Sequence, residues 1–173
     1  MNNTADIQIT SPTLDNWKDA KNLRLEALQN DALAFGGSYQ KALKKSDFEW
    51  KNEIKQTLGD HPKELMIIAK DAERIVGMLG AFPKTVERWN LKGLYVTPDY
   101  RGKKISKQLV DEMVRQIDVR AKVKEIGLSV NIVNTTAVKL YQSMGFDIFD
   151  TTLGYEFGDG KTYDKYEMMK KIQ

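Results

Sequence analysis

The stretch LYVTPDYRGKKISKQLVDEMVRQIDVR, residues 94 to 120, decides how the chain folds. Leu94, Tyr95 and Val96 are strand formers. Thr97-Pro98-Asp99 ends them, because Pro98 cannot donate to a ladder and suits the second position of a turn. Past a short basic loop, Ile105, Leu109, Met113 and Ile117 recur every fourth residue, with Val110 and Val114 widening the stripe. That period predicts an amphipathic helix whose other face carries Lys107, Asp111, Glu112 and Arg115. Arg101, Gly102, Lys103 and Lys104 therefore stand where a helix opens. The first N–H groups of a helix have no intrahelical partner and carry about half a positive charge. Basic side chains beside them make a site suited to phosphate or pyrophosphate. Taken alone, the same residues also fit a helix made soluble by surface lysines, or a patch tracking nucleic-acid phosphates.

Size and charge narrow the classes. With 173 residues the chain is long enough for one domain with its own core, and 41% hydrophobic with 29% charged residues is ordinary for a globular protein. A net charge of +3 argues against a dedicated nucleic-acid binder. The absence of cysteine removes disulfides, thiol nucleophiles and cysteine-ligated zinc. No run approaches the roughly 18 apolar residues of a membrane span, and Met1-Asn2-Asn3 opens no signal peptide. A cytoplasmic protein with no membrane partner is the expectation.

Outward from the central stretch, the remaining elements follow. Ile7 and Ile9 alternate with polar neighbours in a first strand ended by Ser11-Pro12. Thr13 is placed to cap a helix carrying Leu14, Trp17, Ala20, Leu23, Leu25 and Leu28. Residues 31 to 39 break that pattern, and Gly36-Gly37 predicts a mobile loop. Ser46-Asp47 caps a second helix with Trp50, Ile54 and Leu58 on one side. Leu65 to Lys70 and Ile75 to Phe82 read as an antiparallel hairpin, the second apolar on both faces and so central in a sheet. In Trp89 to Val96 the apolar parity shifts across Lys92-Gly93, which fits a β-bulge or a site of close packing. A bulge there would splay this strand from its parallel neighbour. Ile126, Leu128 and Val130 mark a fifth strand, parallel to the fourth across the crossover helix. Asn134 caps a further helix ending at Gly145, and the tail folds as a hairpin about Asp159-Gly160.

Two motifs carry a resemblance. V-x-P-x-Y-R-G-K-x-I-x-x-x-L-V resembles the acyl-CoA pyrophosphate loop of the GNAT superfamily of N-acyltransferases. That family's pattern is Gln/Arg-x-x-Gly-x-Gly/Ala, against which this chain has Arg101-Gly102-Lys103-Lys104-Ile105-Ser106. Lys104 stands in place of the first glycine and Ser106 in place of the small residue. A lysine in a first helical turn is expected at ordinary negative φ, presenting the same N–H. Asn131 to Phe146, N-x-x-N-x-x-A-x-x-L-Y-x-x-x-G-F, is similar to the family segment after the fifth strand. The resemblance covers nearly the whole chain. It implies a single GNAT-like α/β (α+β) domain over residues 1 to 173, with a mixed, mostly antiparallel sheet of six to seven strands and helices on both faces. Strands four and five would be parallel and splayed.

The resemblance further implies acetyl transfer from acetyl-CoA, as co-substrate and with no metal, to a primary amine by direct attack in a ternary complex. The backbone at Leu94, Tyr95 and Val96 would pair with the pantetheine arm. Arg101, Gly102, Lys103, Lys104, Ile105 and Ser106 would hold the pyrophosphate, and Asn134, Ala137 and Tyr141 would line the cofactor side. Tyr141 would protonate the thiolate leaving group; read from the residues alone it is equally a core aromatic before a glycine cap. Glu87 is the base suggested by family analogy, and also an ordinary exposed loop charge. His61, the only histidine, reads as a surface residue. No serine or cysteine triad and no paired-histidine metal pattern is present. A module that binds acyl-CoA without transferring is the alternative function, a homodimer through the terminal strands is compatible with the family, and the acceptor amine is left open.

Overall fold

The computed structural model describes residues 7–60 and 62–172. His61 lies outside the described residues. One seven-stranded mixed sheet runs β1 (Gln8–Thr10), β2 (Leu65–Asp71), β3 (Arg74–Thr85), β4 (Arg88–Val96), β5 (Glu125–Asn131), β7 (Thr162–Lys171) and β6 (Asp147–Glu156) in spatial order. Every neighbouring pair is antiparallel except β4 and β5. The helices are α1 (Trp17–Asn30), α2 (Tyr39–Leu43), α3 (Asp47–Lys55), α4 (Ile105–Ala121) and α5 (Thr135–Ser143).

Strand alternation divides the interior between two faces. Ile67, Ala69, Val76 and Val96 pack with α4 and α5, whereas Ile68, Ile75, Met78 and Tyr95 pack with α1, α2 and α3. Helices thus cover both faces of the sheet. The predicted stripe of α4 is the buried one: Leu109, Val110, Met113 and Ile117 are fully covered and Ile105 nearly so. Each such side chain contributes about 1.5–3 kcal/mol by leaving water. Ser46 caps α3 as predicted and forms a full capping box, with Glu49 accepting from the Ser46 backbone N–H.

Several local readings change. The first helix begins at Trp17 rather than after Thr13, because the Thr13 N–H donates to Asn16 Oδ1 at 2.8 Å and holds residues 13 to 16 in a turn. Leu14 is consequently exposed. The expected mobile loop contains a turn at Ala32–Ala34 and the short helix α2, capped by Ser38. It is tied down at Leu33 and Phe35. Asn131 Nδ2 donates to Leu33 O at 3.1 Å, and Gly158 N–H donates to Phe35 O at 2.7 Å. The terminal hairpin turns where predicted, and β7 is the strand that pairs with β5, which leaves β6 as the exposed edge of the sheet.

Candidate functional site

The site is built where β4 leaves its neighbours. Between β3 and β4 the register jumps from Met78↔Tyr95 to Gly80↔Lys92, so an extra residue is accommodated at Gly93–Leu94. Gly93 has φ +71, a conformation that other residues adopt only with strain. Of the two readings that the parity shift allowed, the structure has the bulge. On the other side, β4 and β5 pair only at Arg88↔Glu125, Trp89↔Ile126 and Asn90↔Gly127. Beyond Asn90 the strands continue unpaired, and a wedge opens between them. The Thr97 N–H donates to Val76 O on β3. By strand alternation, the Val96 N–H faces the opposite side, into the wedge.

Below the wedge, α4 opens without a side-chain cap. Its first ladder bond runs from Gln108 N–H to Lys104 O, so the N–H groups of Ile105, Ser106 and Lys107 lack helical acceptors. Gly102 has φ +78, and a Cβ added there would meet open space. Lys104 corrects the sequence reading. Its φ is +62 and ψ 13, left-handed rather than helical. The residue before α4 must reverse its backbone to turn the free N–H groups into the loop. A glycine does this without cost, and here a lysine does it with strain. Free N–H groups, a glycine-lined approach and the side chains of Lys103, Lys104 and Lys107 suit a diphosphate.

Arg101 behaves differently from the expectation of a phosphate ligand. Its Nη2 bonds Asp31 Oδ2 at 2.6 Å, its Nε bonds Val96 O at 3.0 Å, and the guanidinium stacks on Tyr95 at 5.6 Å. The side chain ties the loop to the end of α1. Tyr95 itself points to the α1 face, where its hydroxyl donates to Glu26 Oε1 at 2.9 Å. Burial above all pushes its pKa up.

Across the wedge, Asn134 Oδ1 accepts from Ala137 N–H and caps α5, leaving its amide nitrogen for other partners. Asn131, almost fully buried, braces the start of the turn by accepting from Val133 N–H. Tyr141 is buried edge-on against Phe146, and no hydrogen bond of its hydroxyl is formed among the described residues. Burial pushes that hydroxyl far above its ordinary range. Glu87 sits at the tip of the β3–β4 hairpin, exposed and ion-paired with Lys124 at 2.5 Å. It lies at the end of β4 remote from Val96, so the ordinary loop-charge reading holds.

On the α1 face a cavity of about 570 Å³ adjoins the bulge, walled by α1, the tethered loop, α3 and the bulged part of β4. Trp17, Leu28, Trp50, Met66 and Met78 supply apolar wall, and Arg24, Lys41, Lys92 and Glu64 supply charge. Arg24 escaped the sequence reading, although it falls on the inward stripe Trp17-Ala20-Arg24-Leu28, where an arginine is the anomaly. Among the described residues, no helix is long and apolar enough to cross a membrane. Among the described residues, no group of three or more acidic, histidine or cysteine side chains is placed to hold a metal.

The family model for the acetyltransferase (GNAT) family matches residues 23–146. The chain belongs to the GNAT acetyltransferase family. Among curated proteins, the L-amino acid N-acetyltransferase AaaT of Escherichia coli K12 is 30% identical over 78 residues, 45% of this chain and 48% of that protein. The match therefore spans about half the length of that GNAT relative. Among solved structures, a GNAT acetyltransferase from Streptococcus pneumoniae superposes with a TM-score of 0.80 at 21% identity, covering 96% of this chain and 100% of its own. Spermidine N-acetyltransferase from Vibrio cholerae, solved with CoA and spermine, gives 0.79 at 16% identity, covering 97% and 96%. At these identities the structural likeness speaks to the GNAT fold alone.

Proposed function

We propose that this GNAT chain is an N-acetyltransferase that moves an acetyl group from acetyl-CoA to a primary amine by direct attack within a ternary complex. The observation that carries the reading is the bulge at Gly93, which opens the β4–β5 wedge directly above the uncapped N-terminus of α4. The residues present fit the co-substrate. The unpaired edge of β4 offers a pantetheine arm its backbone groups at Leu94 to Val96, and Gly102 to Ser106 offer a pyrophosphate free N–H groups and positive charge.

Acetyl-CoA supplies an activated acetyl group as a thioester, whose C–S bond breaks as the C–N bond to the amine forms. The Val96 N–H faces the wedge and meets the negative charge that develops on the carbonyl oxygen. Holding amine and acetyl group side by side between wedge and cavity supplies much of the acceleration. The amine must lose one proton, and the thiolate must gain one. Tyr141 is the donor on the thiol side. Its raised pKa keeps it protonated across the working range, and it acts as a hydrogen-bond donor better than as a free acid. The proton from the amine passes to solvent, and the thiolate, held by the Tyr141 hydroxyl, takes up one proton from solvent, so that the two transfers balance.

The test is thermal unfolding with about 1 mM acetyl-CoA, followed by thiol release with a panel of amines. For a dissociation constant of about 10 μM the stabilisation is about 2.7 kcal/mol. The midpoint then rises by about 5–10 °C. Stabilisation without thiol release for any amine would instead support a binding module, and no stabilisation of a folded chain would sink both readings.

A further inference from the structure

The acceptor cavity holds an unusual arrangement of charge. Five cationic side chains, Lys21, Arg24, Lys41, Lys45 and Lys92, line it against two carboxylates, Glu53 and Glu64. Both carboxylates are already engaged, Glu53 by Lys45 and Glu64 by Lys92 at 2.6 Å. Lys21 is paired outside the cavity with Asp47 at 3.0 Å. Arg24 and Lys41 have no such partner among the described residues; Lys41 is exposed to solvent, whereas Arg24 is half-buried, with Glu53 acting on it only through space. The Arg24 guanidinium lies 4.7 Å from the Phe35 ring centre, and its Nη1 is buried without a hydrogen-bond partner among the described residues. Nη1 lies against the bulge, 3.4 Å from where a Cβ on Gly93 would stand. Trp50, on the opposite wall, keeps its buried Nε1 unpartnered as well. Two orphaned donors therefore border one cavity.

A buried guanidinium stays charged, and an unpaired one is costly. A ligand carboxylate removes that cost by a two-point, charge-assisted contact. The surplus of positive charge repels a polyamine. The tryptophan and methionine walls suit an apolar side chain, and the volume exceeds what a bare amine needs.

Resting on the transferase reading, we propose that the acceptor is an amino acid, its carboxylate held by Arg24 beside the Gly93 bulge and its apolar side chain against Trp17 and Trp50. Recognition of a carboxylate turns the amine of the same small molecule toward the wedge.

The test compares L-phenylalanine, L-tryptophan and L-leucine with their decarboxylated amines, with L-phenylalaninamide and with spermidine, in acetylation by the wild-type chain, Arg24→Gln and Arg24→Lys. The expected result is that at least one amino acid exceeds its decarboxylated amine by about 30-fold or more in kcat/KM, the usual cost of a missing buried charge partner. Arg24→Gln should abolish that preference, Arg24→Lys should restore part of it, and stabilisation by acetyl-CoA should persist in both. 3-Phenylpropanoate should compete with the amine in the wild type. If a variant does not fold, the wild-type panel and this inhibitor decide alone. Equal or faster turnover of decarboxylated amines, preference for spermidine, or stronger competition by 2-phenylethyl phosphate than by 3-phenylpropanoate would overturn the carboxylate assignment with the transferase intact. Loss of acetyl-CoA stabilisation in the wild type would overturn the transferase reading itself, and this inference with it.

Discussion

Replacing Lys104 by glycine tests the geometry of the loop directly, because the sign of the effect depends on one dihedral angle. At φ +62 and ψ 13 the lysine occupies left-handed space just before α4. An L side chain there costs about 1–2 kcal/mol, whereas glycine occupies it freely. Glycine loses more entropy on folding, which offsets about 0.5–1 kcal/mol of the gain. Lys104→Gly should therefore stabilise the chain by about 0.5–1 kcal/mol, a rise of about 1–4 °C in unfolding midpoint. The side chain is exposed, so no packing is lost. Lys104→Ala removes the charge while keeping the strain, and should stay within about 0.5 kcal/mol of the wild type. Urea denaturation of the three proteins at equal ionic strength separates the terms. A loss of about 1 kcal/mol in Lys104→Gly, as glycine causes inside a helix, would refute the left-handed assignment.

The other predictions concern the wedge and its surroundings. Tyr141→Phe should leave stability near the wild type at neutral pH, since the hydroxyl has no partner to lose, while kcat falls by about 100-fold or more if it donates to the leaving sulfur. An unchanged kcat in a single-turnover assay would remove that role. Because burial raises the folded-state pKa of Tyr141, its stabilising contribution is complete below the unfolded value of about 10 and declines as pH rises beyond it. The drop in unfolding free energy between pH 9 and 11 should therefore be smaller in Tyr141→Phe. Gly93→Ala places a Cβ at φ +71 and 3.4 Å from Arg24, so it should cost about 1–2 kcal/mol and slow acetylation; a neutral result in both assays would show that the bulge is not required. In Gly158→Ala the new Cβ would stand 2.4 Å from Gly37 O, forcing the hairpin off the α1–α2 loop. Faster amide hydrogen exchange at Gly36 and Gly37, with α4 unchanged, is the expected signature; identical exchange would show that the contact does not hold the loop.

Much of this architecture was legible because its causes are local. The four-residue recurrence from Ile105 to Ile117 specifies α4 and its buried face, and the parity shift at Gly93 specifies the bulge, since each residue chooses a face by its own hydrophobicity. Ser46 and Glu49 specify the start of α3 by bonding to backbone three residues away. Where a competing local bond existed, as between Asn16 and Thr13, the helix start was misplaced. The family motifs likewise lie in continuous stretches, so the residues that border the wedge, from Leu94 to Val96 and from Asn134 on, are named by short patterns of sequence.

Tertiary structure decided what depends on distant partners. Lys104 is left-handed because the loop between β4 and α4 must turn its free N–H groups outward, a demand that no propensity of lysine signals. Arg101 is drawn to Asp31, 70 residues away in sequence, and Gly36-Gly37 is held by a hairpin tip formed far beyond it. The cavity on the α1 face exists only after α1, α3 and β4 have packed, and Arg24 is left without an ion pair only when the carboxylates around it take lysines instead. The sequence by itself determined most of the elements and the bulge that opens the wedge, because periodicity and short motifs act over a few residues. The charge and shape of the cavity on the α1 face came from the tertiary structure, because burial and pairing are properties of neighbours in space.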